Sequence, residues 1–293
     1  MTDAPHNGDF LFEQLNPHAG HFLRKSRLIE SGQTPYQSYE VWDTPQFGKL
    51  FRLDGYFMTS ERDEFFYHEN LIHIPAICQH APSRALVIGG GDGGSADELF
   101  KHPGMTEVVL VELDAKVIDI ARKHLSSVHN GALDDPRLRI RIEDGLSYVG
   151  VVAPGEGAAF DLIVLDLTDP IGPAEALYTE TFFRQCKALL TSQGALSLHI
   201  GAPFYQGDRV RMLVDRLSRV FTTVRPHFHY IPLYGSQWGM ACASDHIDPL
   251  SLSADEVDAR IQARQIDALQ YFNGATHRSC FAQPNYLRAL LSR

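Results

Sequence analysis

The sequence predicts a doubly wound parallel α/β sheet with a small antiparallel β domain in front of it, and three observations carry that prediction. From residue 85 onward, short apolar runs alternate with helix-length amphipathic segments. The first of those runs, residues 85–88, ends in the glycine-rich turn GGGDGG. Ahead of both, short β-like runs are bounded by strong turn signals. A chain of 293 residues accommodates one large and one small domain, and the expected partition is a polar lead-in (1–20), a β-strand domain (21–60) and a Rossmann-like domain (61–293).

Residues 1–20 are polar with proline and glycine, and read as a loosely ordered lead-in. Residues 36–42, 49–53 and 56–60 read as strands, and Asp54-Gly55 between the last two is the dipeptide that a tight hairpin prefers. Residues 61–78 read as a helix, with Phe65, Leu71, Ile72 and Ile77 among its apolar positions. His68-Glu69 and His73 within it resemble a zinc-protease motif, but a spacing of five sets the imidazoles about 140° apart around the helix axis, so no metal is expected. Strands then follow at 85–88, 107–113, 138–142, 161–165 and 195–200, with helices at 96–101, 115–125, 178–190 and 209–221. Two late strands (224–230, 238–243), a surface helix (254–270) and a tail complete the chain.

The formal net charge of -10, with no basic stripe, excludes a nucleic-acid or acidic-membrane partner and suits a cationic substrate. Cys78, Cys186, Cys242 and Cys280 are far apart in sequence, as reduced thiols of a cytosolic protein would be. No signal-like N-terminus and no membrane-length apolar run is present, so a cytoplasmic location is expected.

In a doubly wound sheet the ligand lies beyond the carboxyl ends of the strands. Gly89, Gly91 and Gly94 satisfy G-x-G-x-x-G and let a ligand approach bare backbone. Asp92 within the turn would repel a pyrophosphate, so the loop suits a nucleoside that carries positive charge and no phosphate, such as a sulfonium or an amine. Each of the first four strands ends in acid: Asp92, Glu112, Asp144 (followed by Gly145), then Asp166 with Asp169. One such acid is often a helix cap, but four in succession point to a site. Glu112 stands at the step from the glycine loop where an acid binds ribose hydroxyls, and Asp144 is able to accept from an exocyclic adenine amine, a contact the sequence alone does not establish. Pro170, Gly172 and Pro173 keep the segment after Asp166 from becoming an α-helix, which leaves a shaped loop over the pocket. Two carboxylates there can bind an ammonium group, and one of them can take its proton. Tyr67 and His68 precede the sheet and either reach the same cleft or make structural hydrogen bonds. With no nucleophilic triad, cysteine nucleophile or metal cluster in the pattern, the electrophile comes with the ligand.

The motifs GGGDGG, VELD, DDPR (134–137), EDG and DLTDPIGPAEALYT, with ERDEFFYHE before the glycine loop and IPLY (231–234), resemble the polyamine aminopropyltransferases, the spermidine synthase family. The resemblance runs from about residue 22 to the C-terminus. It implies a methyltransferase-like Rossmann fold and transfer of an aminopropyl group from decarboxylated S-adenosylmethionine to a di- or polyamine, with putrescine expected first among four open acceptors, putrescine, cadaverine, agmatine and spermidine. 5'-Methylthioadenosine leaves, the donor is a co-substrate, and no further cofactor is implied. Position by position, Asp166 matches the family's proton acceptor and Asp169 its partner in holding the amine. Gln37, Asp92, Glu112, Asp144, Gly145 and Pro173 match positions holding the nucleoside donor, beside Gly89 and Gly91 of the loop. Tyr67, His68 and Tyr234 match the amine channel, together with Asp92, Asp166 and Asp169. His68 stands where some members have glutamine, and Leu167 where many have a small polar residue. A homodimer or homotetramer is also implied. The alternatives are an S-adenosylmethionine-dependent methyltransferase, which shares the sheet and the ribose acid, and a non-catalytic polyamine-binding module.

Overall fold

The computed structural model describes residues 7–170 and 172–292. Strands β1 (Phe10–Asn16) and β2 (Ala19–Arg24) form an antiparallel hairpin. The stretch expected as a loose lead-in is therefore a strand from Phe10 onward. Leu11, Glu13 and Leu15 turn inward between exposed Phe12 and Gln14. A glutamate at one of the inward positions hides the period of two. Strands β3 (Arg27–Gln33), β4 (Ser38–Thr44), β5 (Gly48–Leu53) and β6 (Tyr56–Ser60) follow as a four-stranded antiparallel sheet in chain order. Asp54 and Gly55 take φ of 48° and 83° in the β5–β6 turn, the paired positive values that match the twist of a tight hairpin.

Helix α1 (Glu64–Cys78) is buried at twelve of its fifteen residues, which is why it shows no clean apolar stripe. Pro75 inside it cannot donate to the Leu71 carbonyl. The Ser197 hydroxyl fills that gap from the sheet at 2.6 Å.

The main sheet contains β7 (Arg84–Gly89), β8 (Glu107–Glu112), β9 (Leu138–Ile142), β10 (Phe160–Asp166), β11 (Leu190–Gly201), β12 (Thr223–Ile231) and β13 (Ser236–Ser244). Their spatial order is β12-β13-β11-β10-β7-β8-β9, with β13 antiparallel to both its neighbours and the other pairings parallel. This is the Rossmann-like, methyltransferase-like sheet. The chain order reverses between β7 and β10, so a crevice opens beyond their carboxyl ends. Val87 packs into the apolar cluster shared with α1 and the small sheet, whereas Leu86 and Ile88 pack into the cluster on the opposite face, as buried strands between two helical layers require.

Helices α2 (Gly94–Phe100) and α3 (Ala115–His124) lead from β7 and β8. The loop after β10 runs into 3-10 turns over Gly172–Tyr178. The helix expected at 254–270 ends at Ala263, and positive φ at Gln265 and Ala268 turns the chain. Glu69 of α1 then collects the backbone N–H groups of Gln270, Tyr271 and Phe272 at 2.6, 2.9 and 2.7 Å. The tail packs through short helices at Gly274–Ser279 and Asn285–Leu291. All four cysteines are free, and no helix of the described residues is long and apolar enough to cross a membrane.

Candidate active site

The crevice between β7 and β10 is held open by glycine. Gly89 pairs with Asp166 across the two strands, and the Gly90 N–H donates to the Asp166 carbonyl at 2.8 Å. Gly89 has φ of 79°, and a Cβ on it would run into that carbonyl. Over the crevice lies a cavity of about 290 Å³, roofed by the two N-terminal sheets. Of the residues singled out from sequence, Gln37, Tyr67, His68, Gly89, Gly91, Asp92, Glu112, Asp144, Gly145, Asp166, Asp169 and Tyr234 all line it. Pro173 lies outside the residues whose side chains are described.

At the centre, Asp166 Oδ2 accepts from the Ser95 hydroxyl at 2.7 Å and lies 3.9 Å from His68 Nε2. The same nitrogen is 3.6 Å from Asp92 Oδ2, and His68 Nδ1 is 2.7 Å from Glu64 Oε2. Burial and the nearby Asp92 charge push the Asp166 carboxyl up to about 6, against the pull of His68 and of hydrogen bonds from Ser95 and Tyr67. Burial opposes charge on His68, but Asp92, Glu64 and Asp166 outweigh it and raise that imidazole to about 10. At neutral pH the site therefore holds one cation among three carboxyl groups. His68 enters this cluster because Gly94 has no side chain, since a Cβ there would occupy the imidazole ring. The three residues of the zinc-like motif diverge: His68 meets this cluster, Glu69 binds backbone, and His73 Nε2 pairs with Glu98 at 2.8 Å.

One end of the cavity is aromatic. Tyr67 and Tyr234 meet edge to face at 6.1 Å, Trp238 lies 4.7 Å from Tyr234, and the Tyr234 hydroxyl donates to the Met58 carbonyl at 2.8 Å. Asp169 is bridged by Arg209 at 2.5 Å and accepts from Gln206 at 3.3 Å. The backbone between the two aspartates is pinned from below. His199 Nε2 donates to the Leu167 carbonyl at 2.9 Å, and the Tyr178 hydroxyl donates to that of Thr168 at 3.0 Å. Glu13 reaches the cavity from β1 and accepts from the Phe57 N–H at 2.6 Å. Burial pushes its carboxyl up to about 7, against that hydrogen bond, with the Asp169 charge adding to the rise.

The other end is built around β8. Burial raises Glu112 to about 7 although the backbone N–H groups of Asp114, Gly91 and Leu113 hydrogen-bond it. Asp114 caps α3 through the Lys116 N–H and accepts from Thr34 at 2.7 Å and Gln37 at 3.1 Å. Gln37 thus reaches the cavity tied to Asp114. Asp144 accepts from the Leu146 N–H at 3.2 Å, so it caps a short helix while lining the cavity. Sequence reasoning passed over Glu13, Ser95, Asp114, His199 and Trp238. Asp114 had a legible signal as an acid opening a helix just after Glu112, whereas Glu13 had none.

Fold and site together define a Rossmann-like, methyltransferase-like protein whose switch-point cavity is acidic at its centre and aromatic at one end. Residues 64–252 match the spermine/spermidine synthase domain model. The polyamine aminopropyltransferase of Nitrosomonas europaea is 48% identical over 284 residues, spanning 97% of this chain and 86% of that one. That of Ruegeria is 34% identical over 279 residues, 95% of this chain and 96% of that one. A crystal structure of spermidine synthase in complex with the transition state analogue AdoDATO superposes with TM-score 0.89 at 34% identity, covering 99% of this chain and 97% of that chain. Spermidine synthase from Thermotoga maritima gives 0.88 at the same identity, covering 99% and 96%. The chain belongs to the spermine/spermidine synthase family and is a polyamine aminopropyltransferase.

Proposed function

We propose that this chain transfers the aminopropyl group of decarboxylated S-adenosylmethionine to putrescine, giving spermidine and 5'-methylthioadenosine, with Asp166 as the proton acceptor. The observation that carries the proposal is the buried Asp166 carboxyl at the switch point, raised to about 6 and flanked by Asp92, His68, Ser95 and Tyr67. A primary alkylammonium with a pKa near that of lysine, about 10, has no lone pair with which to attack. It must first lose a proton. A carboxyl that titrates near 6 is still ionised at neutral pH and is more basic than an exposed aspartate. The ammonium N–H bond breaks toward Asp166, and the freed lone pair forms the new N–C bond. The C–S bond of the sulfonium breaks with its electrons on sulfur, so the neutral thioether leaves without a general acid. One proton is released to solvent.

The acidic centre and the faces of Tyr67 and Tyr234 offset the cost of taking ammonium groups out of water. Glu112 and the bare backbone at Gly91 support a ribose subsite, and Asp144 with Gly145 supports an adenine subsite. We assign the donor's nucleoside to that end, with Gln37 and Asp114 closing it, and the amine to the end with Tyr67, His68, Asp169 and Tyr234.

The test is mass spectrometry of the products formed from decarboxylated S-adenosylmethionine with putrescine, cadaverine, agmatine or spermidine in separate reactions, beside ordinary S-adenosylmethionine. Methylthioadenosine with spermidine forming fastest from putrescine supports the proposal. A faster reaction with another amine replaces the acceptor. S-Adenosylhomocysteine from the ordinary donor alone overturns the reaction.

A further inference from the structure

Away from the cavity, β12 closes one edge of the main sheet and turns His227 and His229, two residues apart, to the same side. There they meet the C-terminal segment. The Phe228 N–H donates to the Cys280 carbonyl at 3.0 Å, Phe281 packs against the His227 ring at 5.5 Å, and Tyr271 packs against that of His229 at 5.8 Å. His227, His229 and Cys280 are 0%, 1% and 4% exposed. Nδ1 of His227 lies 2.7 Å from Nε2 of His229, and one donor atom from each of the three residues falls within 4.8 Å of the others. The second nitrogen of each ring, Nε2 of His227 and Nδ1 of His229, finds no partner among the described residues. The fold therefore buries two imidazoles and gives them little but each other, although buried polar atoms are ordinarily satisfied.

We propose that His227, His229 and Cys280 form a binding site for one thiophilic d10 metal ion, Zn²⁺ or Cu⁺, which staples the C-terminal segment to the edge strand. Two imidazoles and a thiolate are the donor set that such ions select. Donors sharing one ion stand roughly 3 to 4 Å apart, so closure requires shifts of about an ångström. On binding, the S–H bond of Cys280, now donated to the His277 carbonyl at 3.0 Å, breaks. Its proton leaves to solvent while one sulfur–metal and two nitrogen–metal bonds form, with no change of oxidation state. A single thiolate charge neutralises Cu⁺ and leaves Zn²⁺ with one uncompensated charge. Buried surroundings therefore make Cu⁺ the better match.

The experiment is to incubate the purified full chain anaerobically with Cu⁺ or with Zn²⁺, desalt it, count retained metal per chain and record the melting temperature. Cys280→Ala is compared with Cys78→Ala, which removes the half-buried thiol outside the cluster. We expect wild type and Cys78→Ala to retain one ion and to melt at least about 3 °C higher when loaded. Cys280→Ala should retain at least about tenfold less and show no metal-dependent shift. Retention of Zn²⁺ alone keeps the site and assigns the ion. Should Cys280→Ala fail to fold, His229→Gln replaces it with the same expectation. Wild type retaining less than about a tenth of an ion per chain with either metal, or equal retention by wild type and the cluster variant, overturns the proposal.

Discussion

Asp166 carries two opposed influences at once. Burial and Asp92 favour its protonated form, while the His68 cation and the hydrogen bonds from Ser95 and Tyr67 favour the carboxylate. As the proposed acceptor it works only when ionised. Turnover should therefore fall as pH drops through about 6, and a pH profile of kcat/KM reads that limb directly. Asp166→Asn should lower kcat by at least about 100-fold and leave the affinity for methylthioadenosine nearly unchanged. Turnover near wild type in that variant would remove Asp166 from the role. His68→Gln deletes the cation that draws the Asp166 pKa down, so the acidic limb should move to higher pH. An unmoved limb would show that His68 does not set the state of Asp166.

At the scale of elements, the glycine turn does more than let a ligand close to backbone. Gly89 permits the strand pairing that positions Asp166, and Gly94 opens the first turn of α2 to the His68 ring of α1. Gly94→Ala should therefore displace His68 and lower kcat/KM by about tenfold or more, the cost of misplacing a group in a tightly oriented site. Gly155→Ala is its control, because a Cβ there meets nothing within 4 Å among the described residues. Steady-state kinetics of the two, at matched folded fractions, separates a positional effect from loss of fold. Helix α1 depends on its neighbours in the same way, since the Leu71 carbonyl freed by Pro75 is satisfied by Ser197 of β11.

Across the whole molecule, the cavity is completed by parts distant in the chain. The N-terminal hairpin contributes Glu13, the connection from β3 to β4 contributes Gln37 through its bond to Asp114, and β13 and the turn before it contribute Trp238 and Tyr234. Glu13 lies at the end proposed to hold the amine and feels the charge of Asp169. Glu13→Gln should raise KM for the amine by about tenfold, as loss of one charge-assisted contact to a cation does, with donor affinity unchanged. Isothermal titration with methylthioadenosine and initial rates against amine concentration measure the two separately. An equal loss in both would assign Glu13 to domain packing.

The sequence by itself determined the sheet, the glycine turn and the acids at its strand ends. Each is a local pattern: an apolar run, a turn that needs glycine, and a carboxylate at the strand end or within three residues of it. Gly89, Glu112 and Asp166 were legible for that reason. Only the tertiary structure decided what those acids face. Pairing Asp92, Asp166 and Glu64 around one histidine depends on α1 crossing the glycine loop, a contact between residues far apart in the chain. The end of the last long helix at Ala263 reflects a buried Glu69 that collects the backbone beyond it. Glu13 carried no periodic signal, because a buried acid in an inward strand position resembles a solvated one until the surface that covers it is known.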